Sequence, residues 1–276
     1  MHAVPTWDHR DPADFRTAAK CDLLARYNTT SFVDVGIKAL KKSARKDGSS
    51  LFEAVDKNGK SWWGRKVVLA TGVMDVFPDI EGYEDCWVKG IFHCLFCHGY
   101  EDRGASSVGV LAVDDCAPPK AAMHVANYAL RLGDKVTIYT NGNYATTSAL
   151  SSTVSSFRPD SKSAKNITIN SKKISKLIKG RKGAEVQVHF EDGEKLTEGF
   201  LVHKPLGKLN GPWGEQLELE TTDQGLIKVN FPFNETTVAG VFAVGDCATP
   251  LQAVTQAIAM GGAAAAGVAA QLEAED

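Results

Sequence analysis

The sequence lacks an excess of charge of either sign. Its 276 residues contain 31 Lys plus Arg against 33 Asp plus Glu, for a formal net charge of −2 at pH 7. A chain this close to neutrality has little overall attraction for a nucleic-acid backbone or for an anionic membrane. We therefore expect neither nucleic acid nor a membrane as its main partner.

Long apolar runs and targeting signals are also scarce. We find no apolar run that approaches the roughly 20 residues of a membrane helix, and residues 1–5 lack the charged and apolar regions of a signal peptide. The 6 cysteines do not have the dense, regular spacing of secreted disulfide scaffolds. These absences predict a cytoplasmic protein in which most thiols are free.

Alternating strand and helix patterns predict an α/β fold. An apolar strand pattern at 108–113 is followed by a helix pattern at about 118–132 and by a second strand pattern at 135–139. This order is typical of a βαβ unit, whose two strands run parallel in one sheet. A third apolar strand pattern, at 240–244, precedes an Ala-rich helix pattern that extends from about 253 to 272.

Three local patterns predict further elements. Asp11 followed by Pro12 is typical of a helix N-terminus, and apolar residues at helical spacing predict one apolar face for that helix. Asn58-Gly59 between two strand patterns predicts a hairpin. Residues 167–202 alternate like a β-meander around a turn at 192–193.

The strongest chemical motif is Cys94-x-x-Cys97, which is flanked by His93 and His98. This spacing allows a short reversible disulfide, and a nearby imidazole could hold the proton of an attacking thiolate. The alternative is half of a zinc site completed by His93, His98 or a distant cysteine. We favour redox chemistry because no second Cys-x-x-Cys is present. The remaining cysteines are predicted to be small core residues: Cys21, Cys86, Cys116 and Cys247.

The order of motifs along the chain resembles that of the low-molecular-weight thioredoxin reductases, and more closely that of the fungal gliotoxin-type dithiol oxidases. The motifs that carry the resemblance are WDHR at 7–10, GRKVVLATG at 64–72, DIEGY at 79–83, CLFC at 94–97 with GYE at 99–101, TIYTNG at 137–142, FPFNET at 231–236 and GVFAVGDCATP at 240–250.

This resemblance implies two Rossmann-like FAD/NAD(P)-binding domains. The FAD-binding-type domain is discontinuous, formed by 1–102 and 206–276, and a nicotinamide-binding-type domain at 103–205 is inserted between its two parts. The resemblance also implies a homodimer, with the cysteine pair passing electrons to FAD. The implied FAD-contacting residues are Ala70, Thr71, Gly72, Gly245, Asp246, Ala253 and Val254.

The chain departs from the family pattern in two places. It has no Gly-x-Gly-x-x-Gly motif, the turn whose glycines bring backbone amides to the FAD pyrophosphate. The first domain is therefore N-terminally truncated relative to the family: either the gene model is truncated, or this is a shortened relative that holds FAD in another way.

The second departure lies after the strand pattern at 108–113. Asp114 and Asp115, with Pro118 and Pro119, stand where a nicotinamide binder has closely spaced glycines. Carboxylates repel a pyrophosphate and prolines remove amide donors. The next strand ends in Thr140-Asn141, which offers no acid for a ribose hydroxyl. These features argue against NADPH as a cofactor.

The leading hypothesis is therefore a flavin-dependent dithiol oxidase that forms an intramolecular disulfide in a small-molecule natural product of the epipolythiodioxopiperazine type. Cys94 and Cys97 would exchange disulfides with the substrate dithiol, and His98, which follows the second cysteine, is the candidate base. No metal ion is expected. Two alternatives are a cofactor-free relative acting as an isomerase, lyase or binding protein, and an NADPH-dependent thioredoxin reductase.

Overall fold

The computed structural model describes residues 1–44 and 50–276. Within these residues the chain forms two compact units. The first contains Met1, Ala3–Met74 and Gly207–Asp276, and the second contains His2 and Asp75–Leu206.

The α-helices are α1 (Pro12–Arg26), α2 (Tyr83–Cys86), α3 (Pro119–Ala129), α4 (Tyr144–Ser155), α5 (Lys162–Asn166), α6 (Trp213–Gln216) and α7 (Val254–Glu275). The strands are β1 (Ile37–Ala44), β2 (Ser50–Asp56), β3 (Ser61–Gly64), β4 (Val67–Leu69), β5 (Val73–Val76), β6 (Ile91–Phe92), β7 (Val108–Leu111), β8 (Val136–Tyr139), β9 (Ile167–Asn170), β10 (Ile174–Lys179), β11 (Val186–Phe190), β12 (Lys195–Glu198), β13 (Leu201–Val202), β14 (Leu206–Leu209) and β15 (Val241–Ala243).

The second unit is built on a parallel sheet with the strand order β6-β13-β7-β8-β9. All four residues of β7 are buried, as expected for a strand covered on both faces. Helix α3 packs against this sheet through Ala122, Met123 and Ala126. The predicted βαβ unit, and with it the α/β class, is confirmed. Each large aliphatic side chain buried in this way contributes about 1.5–3 kcal/mol to stability.

The predicted meander at 167–202 is only partly right. Strands β10, β11 and β12 do form an antiparallel sheet, and its predicted turn contains Gly193 at a φ of 89°. However, β9 pairs in parallel with β8, and β13 pairs in parallel with both β6 and β7. The first and last strands of the predicted meander therefore extend the parallel sheet instead, because their side chains belong to its core.

The first unit contains the parallel pair β4 and β15, in which Val67 lies opposite Val241 and Leu69 lies opposite Ala243. An antiparallel sheet, β1-β2-β3, adds Phe52 and Leu40 to the same core. The hairpin predicted at Asn58-Gly59 connects β2 to β3.

Helix α1 forms where the sequence predicts it. The Asp11 carboxylate accepts a hydrogen bond from the Ala13 amide at 2.6 Å, and Pro12 occupies the first turn. The predicted apolar face, however, is not buried. No residue of α1 is buried, and Leu23 and Leu24 are 41% and 49% exposed.

The two compact units divide after Met74 and after Leu206. Ile91 and Phe92 of β6 pair with Leu201 and Val202 in the central sheet of the second unit, so the segment that contains β6 belongs to that unit. The bounds of the two cofactor-binding-type domains, 1–102 with 206–276 and 103–205, remain a prediction.

Helix α7 also corrects an expectation about apolar runs. Among the described residues it is long and apolar enough to cross a membrane by length and composition, with a mean hydropathy of 1.2 over its most apolar window. Alanine and glycine supply much of this length. A single helix that meets these two criteria is a weak indication of a membrane span.

Candidate functional site

Cys94 and Cys97 are joined by a disulfide in the structure. The pair follows β6 directly, so it emerges from the carboxyl end of a strand in the parallel sheet. Ligand and catalytic groups in open α/β sheets are concentrated at this edge. Both cysteines are half-buried, which leaves the disulfide within reach of an attacking thiolate.

In the loop that carries the disulfide, some residues are buried in the core and others are exposed to solvent. Residues Leu95–Gly99 form a short π-helix that starts after Cys94. Leu95 is buried in the core of the second unit, whereas Phe96 is 65% exposed. Gly99 lies so close to the core that an added Cβ would be 2.8 Å from the Leu95 side chain. Leu95 and Gly99 therefore anchor the disulfide loop to the sheet.

His98, the predicted base, is exposed and stacks on buried Phe92 with a ring-centroid separation of 5.6 Å and an interplanar angle of 14°. Burial raises the pKa of the nearby Asp102 carboxyl and Glu101 adds to this, while the His98 charge acts in the opposite direction. His98 therefore has an aromatic support on one side and an electrostatic partner four residues further along the chain. The sequence analysis did not identify Asp102.

His93 is also exposed and stacks against Trp87 at 6.0 Å. A zinc site at this motif requires both cysteines as thiolates. In the structure both sulfurs belong to the disulfide, so the arrangement corresponds to the redox interpretation of the motif.

Phe96 is part of an aromatic row that the sequence analysis missed. Its ring contacts Tyr128 of α3 edge-on at 5.3 Å, and Tyr128 contacts His124 at 4.9 Å. The Arg131 guanidinium lies 5.2 Å from the centroid of the Tyr128 ring. The only sequence signal for this row is the spacing of residues 124, 128 and 131 along one helical face.

The remaining cysteines follow the core prediction in three of four cases. Cys86, Cys116 and Cys247 are buried, and burial raises the pKa of the Cys86 thiol to about 11. Cys116 accepts a hydrogen bond from the Lys204 amide at 3.4 Å. Cys21 contradicts the prediction: it is exposed, because α1 buries none of its residues.

In the first unit, the structure brings together two groups of predicted cofactor residues. Ala70, Thr71 and Gly72 follow β4, and Gly245 and Asp246 follow its parallel neighbour β15. The Val244 amide donates to the Leu69 carbonyl at 2.9 Å, so the two segments leave the sheet side by side. Gly72 and Gly245 have φ values of 66° and 70°, which glycine adopts without the strain of a Cβ.

Ala253 and Val254 lie at the N-terminus of α7. Ala253 is the N-cap and provides no side-chain hydrogen bond, so the first-turn amides are available to an anionic or carbonyl oxygen. An apolar cavity of about 370 Å³ lies at this end of the helix. Its lining residues are Met1, Pro12, Phe15, Arg16, Val254, Ala257 and Ile258.

These features fit the flavin portion of FAD. An apolar cavity accommodates an aromatic ring system, Arg16 supplies a positive charge, and the first-turn amides of α7 supply polar contacts. The glycine-rich turn that would hold the pyrophosphate is not found in the sequence.

At the carboxyl end of β7, the second unit has a polar turn. Residues Asp114–Cys116 form a 3₁₀ turn, and Asp114 has a positive φ of 47°. Burial, followed by repulsion from Asp115, raises the pKa of the Asp114 carboxyl. Pro118 is the N-cap of α3 and contributes no side-chain hydrogen bond. This end of the sheet therefore offers carboxylates where a dinucleotide pyrophosphate requires hydrogen-bond donors.

A buried histidine supports this turn. The Tyr83 hydroxyl and His203 Nδ1 are 2.7 Å apart, and His203 Nε2 is 3.3 Å from the Val113 carbonyl oxygen. Since Nε2 faces an acceptor, we assign the proton to Nε2, so Nδ1 accepts from Tyr83. Burial lowers the pKa of His203 to about 4. The imidazole is thus neutral at physiological pH and joins α2, β13 and the turn after β7.

Comparison with known proteins gives one consistent result. The family model for pyridine nucleotide-disulphide oxidoreductases matches residues 120–261. Thioredoxin reductase aclD from Aspergillus oryzae is 45% identical over 274 residues, covering 99% of this chain and 83% of that protein. Thioredoxin reductase sirT from Leptosphaeria maculans is 41% identical over 278 residues, covering 97% and 80%.

Solved structures show the same fold at lower identity. An oxidoreductase from Agrobacterium tumefaciens superposes with a TM-score of 0.80 at 24% identity, covering 100% of this chain and 85% of that chain. At this identity the likeness concerns the fold alone.

Proposed function

This chain belongs to the thioredoxin-reductase-like proteins of the pyridine nucleotide-disulphide oxidoreductase family, and we propose that it oxidises a small-molecule dithiol to an intramolecular disulfide. As a member of this family it is an oxidoreductase, and the family generally uses flavin. The observation that carries this proposal is the accessible Cys94–Cys97 disulfide at the carboxyl end of β6. A disulfide in this position is an oxidant for a thiol that approaches from solvent.

The chemistry begins with disulfide exchange. A substrate thiolate attacks one sulfur of the Cys94–Cys97 disulfide, forming a mixed disulfide and releasing the other cysteine as a thiolate. The second substrate thiol, once deprotonated, attacks the substrate sulfur of the mixed disulfide and releases the bound cysteine. The substrate leaves with an intramolecular disulfide, and the protein keeps two electrons as reduced Cys94 and Cys97.

His98 accepts protons in this scheme. Its imidazole is exposed and held against Phe92, one position after Cys97, so it can receive a proton from a substrate thiol and return it to a cysteine thiolate.

Bound FAD would supply an acceptor for the two electrons of the cysteine pair, with molecular oxygen as the final oxidant. The residues of this chain that would hold its flavin portion are the turn residues Thr71, Gly72 and Gly245, together with Val254 and Arg16 at the cavity beside α7.

A second candidate is NADPH-dependent reduction of a protein disulfide, which the names of the relatives favour. The carboxylates Asp114 and Asp115 weigh against it because they repel a pyrophosphate, and the prolines Pro118 and Pro119 weigh against it because they cannot donate an amide hydrogen bond. The direction of electron flow therefore separates the two candidates.

The test is oxygen consumption by the purified protein with dithiothreitol and with a reduced diketopiperazine dithiol. We expect Cys94→Ser and Cys97→Ser each to abolish thiol-dependent oxygen uptake, because a single cysteine cannot regenerate the disulfide. Cys21→Ser, at an exposed free thiol, is the matched control and should retain activity. The absorbance spectrum between about 350 and 500 nm reports bound flavin.

Two results contradict the proposal. One is full activity in both active-site variants. The other is NADPH oxidation with a protein disulfide acceptor and no oxygen uptake with any dithiol, which establishes the reductase candidate instead.

A further inference from the structure

Phe96 occupies an unusual position for a large apolar residue. It lies between the two cysteines of the disulfide and is 65% exposed, whereas its neighbour Leu95 is 9% exposed and forms part of the core. The fold of this loop does not require an aromatic ring at position 96, because Leu95 and Gly99 provide its anchoring contacts. The ring is available to a molecule that approaches the disulfide.

The Phe96 ring is restrained by its contact with one aromatic neighbour, Tyr128. Tyr128 contacts it edge-on at an interplanar angle of 69°, and the other side of the row is completed by His124 and the Arg131 guanidinium. Tyr128 is itself half-buried on α3, so the row has a rigid base. A ring that is already ordered loses little conformational entropy when a ligand stacks on it.

The size of this aromatic row, Phe96 with His124, Tyr128 and Arg131, favours a small ligand. Positions 124 and 131 are seven steps apart along the helix and its end, or about 10 Å at 1.5 Å per residue. A specific protein–protein interface requires about 800 Å² on each partner. A row of three rings and one guanidinium corresponds instead to the dimensions of a molecule with one or two rings.

We infer that Phe96 is a specificity-determining residue that stacks against an aromatic ring carried by the small-molecule dithiol while its thiolate attacks the disulfide. This inference rests on the proposed function and names the substrate class: a dithiol that carries an aromatic ring close to its thiols. Tyr128 is a positioning residue that fixes the orientation of the Phe96 ring.

The test measures reduction of the Cys94–Cys97 disulfide itself, so that it does not depend on turnover with oxygen. The purified protein is mixed under argon with one of three probes, quenched in acid, and its thiols are counted over time. The probes are dithiothreitol, a diketopiperazine dithiol with a benzyl side chain, and the same dithiol with a methyl side chain. The variants are Phe96→Ala and Phe96→Leu, and the matched control is Tyr144→Ala, since Tyr144 is 81% exposed elsewhere in the same unit.

We expect the unmodified protein to react about three- to tenfold faster with the benzyl dithiol than with the methyl dithiol, as one aromatic contact permits. Phe96→Ala should lose this preference while its rate with dithiothreitol changes less than about twofold. Phe96→Leu should retain the rate with the methyl dithiol but not the preference. Tyr144→Ala should behave like the unmodified protein.

Two outcomes overturn the inference: an unchanged benzyl preference in Phe96→Ala, or an equal loss of rate with all three probes. Failure of the proposed function has a different signature. In that case the disulfide reacts with the dithiols as described, and Phe96 still sets the preference, but no oxygen is consumed.

Discussion

Acidification should destabilise this protein through His203. The side chain is fully buried, and burial lowers its pKa from the ordinary 6.5 to about 4 in the folded state. Between these two pKa values the unfolded chain binds a proton at this position and the folded chain does not. By proton linkage the stability contributed by neutral His203 is present above pH 6.5 and is lost as the pH falls toward 4.

The size of the effect follows from the two pKa values. Between pH 7 and pH 4.5 the unfolded state gains nearly a full proton at this site while the folded state gains little, which amounts to about 2 kcal/mol. Such a loss is a large fraction of the stability of a typical domain. Because the imidazole joins Tyr83 to the Val113 carbonyl, its protonation should unfold the second unit first.

Urea denaturation at pH 7 and at pH 4.5 measures this term when the unmodified protein is compared with His203→Gln. All other side chains are the same in both proteins, so the difference between the two proteins isolates the histidine. We expect the free energy of unfolding to fall by about 2 kcal/mol more in the unmodified protein. An equal fall in both proteins would show that His203 does not control acid stability.

Three further predictions concern positions in the second unit. Gly109→Ala should destabilise the protein by about 1–3 kcal/mol in thermal unfolding, because the new Cβ would lie 2.3 Å from the Leu201 side chain; an unchanged melting temperature would contradict this. Asp114→Gly should stabilise it by up to about 1 kcal/mol by relieving the positive φ of 47°, whereas a loss of stability would show that the Asp114 side chain has a structural role. Burial raises the pKa of Glu198 above its ordinary 4.5, so this residue should cost stability as the pH rises above 4.5, and Glu198→Gln should flatten that dependence in chemical denaturation.

The sequence predicted elements whose signals are local. Asp11 and Pro12 mark the start of α1 because capping depends on adjacent residues, and Asn58-Gly59 marks a hairpin for the same reason. The Cys94-x-x-Cys97 disulfide was likewise predictable, because a separation of three residues brings the sulfurs together without long-range information.

Features that depend on distant pairing were not predictable in the same way. The two-residue strand β6 belongs to the second unit only because it pairs with β13, more than a hundred residues later. The hydrogen bond between Tyr83 and His203 joins residues that are 120 positions apart, and no local sequence pattern around either residue predicts this bond. Phe96 and Tyr128 are likewise joined by the packing of α3 beside the disulfide loop.

The strand ends differ between the two units, and this difference bears on the proposed electron source. In the first unit, Gly72 and Gly245 follow the paired strands with positive φ values, and the N-terminus of α7 has no side-chain cap. The β7 end instead carries Asp114, which opposes a pyrophosphate. Under the proposed function, the electrons that reduce the Cys94–Cys97 disulfide come from thiols and not from a dinucleotide. Titration with NADPH should therefore leave the Cys94–Cys97 disulfide oxidised under argon, whereas two equivalents of a dithiol should reduce it; reduction by NADPH alone would refute this argument.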